Sequence, residues 1–212
     1  MKVSNRSIFF ANASNSILLF FMLLVVGSVA RLGMDVPNFK PLGAVCLIAG
    51  LMFRDVRVAI LLPVTAMLIS DFFLGFYEPL LAIAVYGSLL LNVVMGRTAK
   101  NWIFGPQQSI ASRIVATLGL AVTSSLQFFI LTNLAVGLFS GWYPLSFSGM
   151  SGCFVAALPF FRFTLAGDIV FFAAPVIVSI LVQSTITRQR LAFETNYTVV
   201  APQKKPANQH SR

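Results

Sequence analysis

Two aspartates interrupt apolar segments of this chain. Asp71 lies in LISDFFLG, and Asp168 lies in FTLAGDIVFF. A carboxylate at the centre of a membrane helix costs at least about 2.5–3.5 kcal/mol, so such residues usually face a cavity, a partner or a transport pathway. Two close carboxylates can also share one proton, as in aspartyl proteases. The two residues therefore predict a polar pocket, a pair of structural crosslinks or an acid–base site. The positions of the helices that carry them distinguish these alternatives.

The composition indicates a membrane protein. Of 212 residues, 58% are hydrophobic and only 10% are charged, whereas soluble domains carry roughly 25% charged residues. The net charge is +9, but the basic residues flank apolar runs. This is typical of membrane topology rather than of nucleic-acid binding, and we expect no nucleic-acid partner.

The apolar runs predict an all-α, six-helix membrane bundle over residues 1–190. The predicted spans are residues 17–31, 41–53, 58–75, 80–96, 110–138 and 163–186. The second span is short and could be tilted, paired or re-entrant. Residues 139–162 are predicted to form a connection that includes a short interfacial helix, and residues 191–212 a polar tail that is disordered.

The basic residues predict the orientation of these spans. With both termini in the cytoplasm, twelve lysines and arginines lie inside and three lie outside, namely Arg31, Lys40 and Arg162. The positive-inside rule strongly favours that arrangement, which also requires an even number of spans.

The predicted spans place four polar residues in one layer, roughly 6–9 Å below the outer surface at about 1.5 Å per helical residue. They are Asp71, Tyr86, Asn133 and Asp168. This layer predicts a polar pocket that opens to the outside. The alternative is structural, because each aspartate could instead pair with Arg31, Lys40 or Arg162 and crosslink helices. Asn92 and Gln127 lie deeper, where a single amide usually forms an interhelical hydrogen bond.

Enzymatic motifs are weak in this chain. The sequence Gly149-Met150-Ser151-Gly152 matches the G-x-S-G of rhomboid proteases, but the one histidine, His210, lies in the polar tail, and a serine nucleophile needs a neighbouring base. The acids and cysteines do not specify a metal site, and there is no ATP-binding P-loop motif. We therefore expect no enzyme, with an aspartyl-type intramembrane enzyme as the alternative.

Four segments together resemble, in order, a bacterial membrane-protein family of unknown function. They are VPNFKPLGAVCLIAGLMF, LLPVTAMLISDFFLGFYEPLLAIAVYGSLLL, SLQFFILTNLAVGL and GWYPLSFSGMSGCFVAALPFFRFTLAGDIVFF. That family is similar to the S components of energy-coupling-factor (ECF) transporters. The resemblance implies a six-helix substrate-capture subunit in the bacterial inner membrane, with an outward-facing pocket. Its partners would be a vitamin-like or other nutrient molecule, membrane lipid, and a transmembrane coupling subunit with ATPases.

The resemblance also implies a set of ligand-binding residues. Carried over by position, they are Asn38, Asp71, Tyr86, Asn133, Tyr143, Arg162 and Asp168. One feature departs from the S-component pattern, because the first span offers only Gly27 and Ala30 where a four-residue spacing of small residues would let a coupling subunit pack closely. The sequence thus predicts a small-molecule-binding uptake protein. A structural or assembly subunit of a larger membrane complex remains a further alternative.

Overall fold

The computed structural model describes residues 13–33, 36, 38–76 and 78–200, and of residues 13–15 and 195–200 only the backbone. Within these ranges all regular structure is helical, as predicted. The elements are α1 (Ala13–Gly33), α2 (Leu42–Met52), α3 (Val56–Leu74), α4 (Pro79–Phe104), α5 (Ile110–Phe139), α6 (Phe147–Asp168), a π-helical turn (Ile169–Ala173) and α7 (Ala174–Val200).

Five stretches of the described chain are long and apolar enough to cross a membrane. They are Ser16–Gly33, Val56–Leu74, Pro79–Phe104, Ile110–Phe139 and Phe147–Glu194. Helix α2 has only 11 residues, about 16 Å at the helical rise, or half of a bilayer core. The chain therefore has the make-up of a multi-pass membrane protein with one half-length helix.

Helix α6 differs from the sequence prediction. It begins at Phe147, inside the segment that was predicted to be mostly a connection. The hydroxyl of Ser146 accepts a hydrogen bond from the Gly149 amide at 3.1 Å, which caps the helix and outweighs the local glycines and serines. At the other end, α7 continues to Val200, into the segment predicted as a disordered tail; residues 201–212 lie outside the described chain.

Helix α6 runs antiparallel to α5, from the end of α5 to its middle. The Cys153 thiol donates to the Asn133 carbonyl at 3.4 Å, and further along the Phe129 and Phe161 rings lie 5.1 Å apart. At the end of α6, Ser125 meets Asp168. Ser125 is near the midpoint of α5, roughly 20 Å from either end. Asp168 therefore lies deep in the bundle.

A π-helical turn follows Asp168 directly. In it, the Ala174 amide donates to the Ile169 carbonyl, five residues back instead of four. Pro175 comes next, and because proline has no N–H and its ring clashes with the carbonyl four residues earlier, regular α geometry is disfavoured there. Such turns occur frequently at functional sites.

Helices α2 and α4 cross with their backbones in contact. A Cβ on Gly50 would lie below 3.0 Å from the Val93 carbonyl oxygen, and one on Gly96 equally close to the Leu47 carbonyl oxygen. Real Cβ atoms essentially never come so close to such atoms. Glycine at both positions is therefore required for this crossing.

The two ends of the bundle differ in charge. At one end, which we call the basic end, the Arg97 guanidinium donates to the carbonyls of Phe53 and Arg54, and the Arg113 Nε donates to the Ile103 carbonyl at 2.6 Å. These contacts hold the α2–α3 link, the end of α4 and the start of α5 together. The opposite end, where α3 ends, we call the Asp71 end.

We expect Gly50→Ala and Gly96→Ala each to lower the free energy of unfolding by about 1–3 kcal/mol, because backbone atoms cannot move aside for the new methyl group. Thermal unfolding in detergent would measure the loss.

The matched controls are Gly87→Ala and Gly119→Ala, where no atom lies within 4 Å of the position that the new methyl group would take. We expect these controls to be neutral or slightly stabilising, since alanine favours helix over glycine by up to about 1 kcal/mol. Equal effects of all four substitutions would contradict the close crossing.

Candidate functional site

The first polar cluster, the paired cluster, lies at the Asp71 end and consists of Arg31, Ser70, Asp71 and Tyr86. The Arg31 guanidinium forms an ion pair with Asp71 Oδ1 and also contacts the Ser70 hydroxyl. The Tyr86 hydroxyl donates to Asp71 Oδ2 at 2.7 Å. Both carboxylate oxygens are therefore occupied, and the cluster ties α1, α3 and α4 together.

The paired cluster leaves Asp71 little freedom to bind a ligand. Its side chain is almost completely buried, and each of its oxygens already accepts from a protein donor. A buried pair with satisfied hydrogen bonds is what a crosslink between helices requires. For Asp71, the geometry matches the structural alternative, with Arg31 as the partner.

The second cluster, the mid-bundle cluster, comprises Gly43, Asn92, Ser124, Ser125, Gln127 and Asp168. The Ser125 hydroxyl donates to Asp168 Oδ2 at 2.7 Å. The Gln127 amide donates to Asn92 Oδ1 at 2.8 Å and to the Ser88 carbonyl at 3.1 Å. Two buried atoms of the cluster have no hydrogen-bond partner among the described residues, Asn92 Nδ2 and Gln127 Oε1, while the Ser124 hydroxyl lies towards Asp168. This cluster, unlike the first, has polar groups to spare.

The hydrogen bonds determine which way the two amides point. Gln127 must present its N–H group to the Ser88 carbonyl, because an oxygen there would face another oxygen. The same Nε2 then requires an oxygen from Asn92, so Asn92 Nδ2 points away from Gln127. Asn92 Nδ2 is therefore a buried donor in the mid-bundle cluster without a partner among the described residues.

Asp168 and Asn92 both flank Gly43, in the first turn of α2. The position of a Cβ on Gly43 would be 2.8 Å from Asp168 Oδ1 and 3.6 Å from Asn92 Nδ2. No side chain caps this helix, so its positive N-terminal end lies close to the carboxylate without a competing side-chain acceptor. That end can contribute up to about 2 kcal/mol, which is comparable to the cost of the buried charge.

Asp168 has no cationic partner among the described residues. The ion pair that they form joins Arg31 and Asp71. Its side chain is 3% exposed. Gly43 and Gln127 are partly exposed, so the cluster is not sealed on every side. Half-helices whose positive ends face an anionic group at membrane depth occur in secondary transporters.

The structure does not bring the predicted ligand residues into one layer. Asp71 and Tyr86 meet in the paired cluster, whereas Asp168 lies at mid-depth because α6 begins sixteen residues earlier than the predicted sixth span. The four other predicted residues are dispersed. Asn38 is an exposed loop residue with φ 60°, Asn133 donates to the Phe129 carbonyl of its own helix at 2.7 Å, Tyr143 is half-buried in the α5–α6 loop, and Arg162 is exposed on α6, 4.7 Å above the Phe163 ring.

Sequence reasoning missed Gly43, Ser124 and Ser125. Adjacent serines in the middle of a long apolar helix were a usable signal, since both are completely buried. The prediction that a deep amide forms an interhelical hydrogen bond is confirmed for both residues, and the structure adds that Asn92 and Gln127 are each other's partners across α4 and α5.

The geometry also bears on the enzymatic motifs. The hydrogen bonds of Asp71 go to Arg31 and Tyr86 and that of Asp168 to Ser125, so the two carboxyls are not bonded to each other. Ser151 donates to the Ser148 carbonyl within the first turns of α6.

Two surface cavities, of about 450 and 290 Å³, lie along α7 and between α4 and α5. No predicted ligand residue lines either cavity. The described residues contain no group of three His, Cys, Asp or Glu side chains able to hold a metal ion.

We expect Asp71→Asn to lower the free energy of unfolding by about 3 kcal/mol, because it leaves the Arg31 charge without its partner. Tyr86→Phe, which removes one hydrogen bond to a charged group, should cost about 2 kcal/mol. In a double-mutant cycle by thermal unfolding, Arg31→Gln with Asp71→Asn should cost less than the sum of the single changes. Simple additivity would contradict the pairing.

Comparison with known proteins places the chain without naming an activity. No curated protein and no solved structure matches it. One family model, described as a family of unknown function (DUF6580), matches residues 11–190. The resemblance to a family of unknown function is confirmed at that level, and the chain belongs to this family.

Proposed function

We propose that this protein binds a small molecule in uptake, as the substrate-capture subunit of a transporter in the bacterial inner membrane. The observation that carries the proposal is the mid-bundle cluster, in which Asn92 Nδ2 and Gln127 Oε1 are buried without a partner among the described residues. Burying such an atom unpaired costs about 1–3 kcal/mol, so a molecule that supplies the missing hydrogen bonds would be bound favourably. The cluster lies beside a half-length helix, where many transporters hold their substrates.

The proposed site centres on Asp168 and Asn92 rather than on the whole predicted layer. A solute would receive a hydrogen bond from Asn92 Nδ2 and donate to Asp168 Oδ1, and both atoms flank Gly43. In this proposal, both termini are cytoplasmic and the paired cluster stabilises the outer end. Tyr143, Asn133 and Arg162 would contribute only if loop or helix movements brought them to the site.

The proposed partners include a transmembrane coupling subunit with ATPases, as in ECF transporters. Helix α1 would have to offer a docking face. Its Gly27 lies on the inner face, because a Cβ there would be nearest to side-chain atoms of Leu42 and Ala66. The exposed face of α1 carries large residues such as Leu18, Phe21 and Val25. A coupling subunit would therefore pack on large side chains, and otherwise lipid covers this face.

A second candidate is a structural or assembly subunit of a larger membrane complex. The paired cluster favours it, because the polar groups at the Asp71 end are filled by side chains of the protein itself. The two candidates differ in what the mid-bundle cluster holds and in what co-purifies.

Native mass spectrometry of the protein extracted gently from its own membrane tests the proposal. We expect a retained small molecule in the wild type and at least a tenfold loss of it in each of two variants. Asn92→Leu removes the donor Nδ2, and Asp168→Asn places an NH2 donor where the acceptor Oδ1 stands, because Ser125 requires the remaining oxygen. Gly119→Ala, with open space around the position, is the control and should retain the molecule.

The outcomes separate the candidates. A folded wild type that carries no small molecule but forms stoichiometric complexes with unrelated membrane proteins would favour the assembly subunit. A retained molecule that persists in both variants would contradict the assigned site, while co-purifying ATPases would support coupling.

A further inference from the structure

We propose that Asp168 is a proton-binding site, whose carboxyl exchanges a proton with water reaching the mid-bundle cluster. The inference adds to the proposed function and concerns the same cluster, but the proton can be measured without the solute. It rests on the surroundings of the carboxyl, on the unpartnered groups that face it and on the partial exposure of its neighbours.

The surroundings of Asp168 favour each protonation state by a different means. Burial without a cationic partner disfavours the carboxylate, whereas the Ser125 hydroxyl and the nearby positive end of α2 favour it. Asp71 differs, since both of its carboxyl oxygens contact protein donors, Arg31 and Tyr86. Of the two buried aspartates in the described chain, Asp168 is therefore the one whose surroundings accommodate both the carboxylate and the protonated carboxyl.

A water molecule would complete the hydrogen bonds of the cluster. Asn92 Nδ2 is a buried donor without a partner, and Asp168 Oδ1 lies on the same side of Gly43. A bridging water would accept from Asn92 and donate to the carboxylate, as buried waters commonly do for otherwise unsatisfied groups. The partly exposed Gly43 and Gln127 mark the side from which water would enter.

The proton transfer is balanced within these groups. The Asp168 carboxylate takes one proton from a hydronium ion, which becomes neutral water, and the new O–H then donates to the bridging water. On release the proton returns to water and the carboxylate is restored. Protonation removes the attraction between the carboxylate and the positive end of α2.

Few other charged or titratable groups face Asp168. On α2 the nearest is the buried Cys46 thiol, while α5 contributes the serine hydroxyls and α4 the Asn92 amide. The segment before α2 contributes the backbone of Lys40, which faces Gly167, and the Lys40 ammonium donates to the Arg31 carbonyl at 3.1 Å. On α6 itself, Arg162 is exposed. A titration of the cluster therefore reports chiefly on Asp168.

Infrared difference spectroscopy of the full-length protein in lipid nanodiscs tests this inference, with the pH varied in both directions. The chain has only six acidic side chains, so the carbonyl stretch of a protonated carboxyl can be assigned. Among the pH-dependent carboxyl bands we expect one that is lost in Asp168→Asn and kept in Glu194→Gln, which changes an exposed acid. Ser125→Ala should shift the band, because it removes the hydrogen bond to Oδ2.

The opposite results would overturn the proposal. The first is a set of pH-dependent bands that does not change in Asp168→Asn. If that variant does not fold, the deciding result is a band that does not shift in Ser125→Ala. The third is loss of the band when sodium replaces choline at constant pH. The last result would identify a metal-cation site instead. If the infrared band is present but mass spectrometry finds no retained solute, the proton site is supported and only the uptake proposal is contradicted.

Discussion

The backbone contact between α2 and α4 is the constraint on which the interior depends. Because Gly50 and Gly96 have no side chains, the two helices approach until a methyl group on either would overlap a carbonyl of the other. This approach sets the position of the short helix α2 along α4. As a result Gly43, at the start of α2, lies next to Asn92 and Asp168, and the positive end of a half-length helix meets a buried carboxylate.

The two buried aspartates are stabilised by different physical means. Asp71 has a full charge partner in Arg31 and a second donor in Tyr86, so each of its oxygens already has a partner within the protein. Asp168 has a hydroxyl and a helix end but no cation among the described residues. Buried polar groups that remain unpaired are costly, and they are the places where a further molecule or a proton gains most. Asp168 is therefore a better candidate for function than Asp71.

The paired cluster and the mid-bundle cluster share two structural elements. Helix α4 carries Tyr86 of one and Asn92 of the other, about 9 Å apart along its axis. The segment before α2 touches both regions, because the Lys40 ammonium donates to the Arg31 carbonyl while its backbone packs against Gly167. The π-helical turn that follows Asp168 is a local departure from α geometry. The two clusters are thus joined structurally through α4 and through the segment before α2.

The sequence by itself determined the membrane character, the helical class, the approximate position of most helices and the two aspartates as exceptions, because hydropathy and charge are local properties. It also determined the family. The tertiary structure alone decided that Asp71 pairs with Arg31, forty residues away, and that Asp168 lies at mid-depth beside Gly43, Ser125 and Asn92. The glycines and serines before residue 163 hid the start of α6, whose length sets that depth. Such contacts depend on how helices cross, and close crossings are set by backbone shape between segments that are distant in the chain.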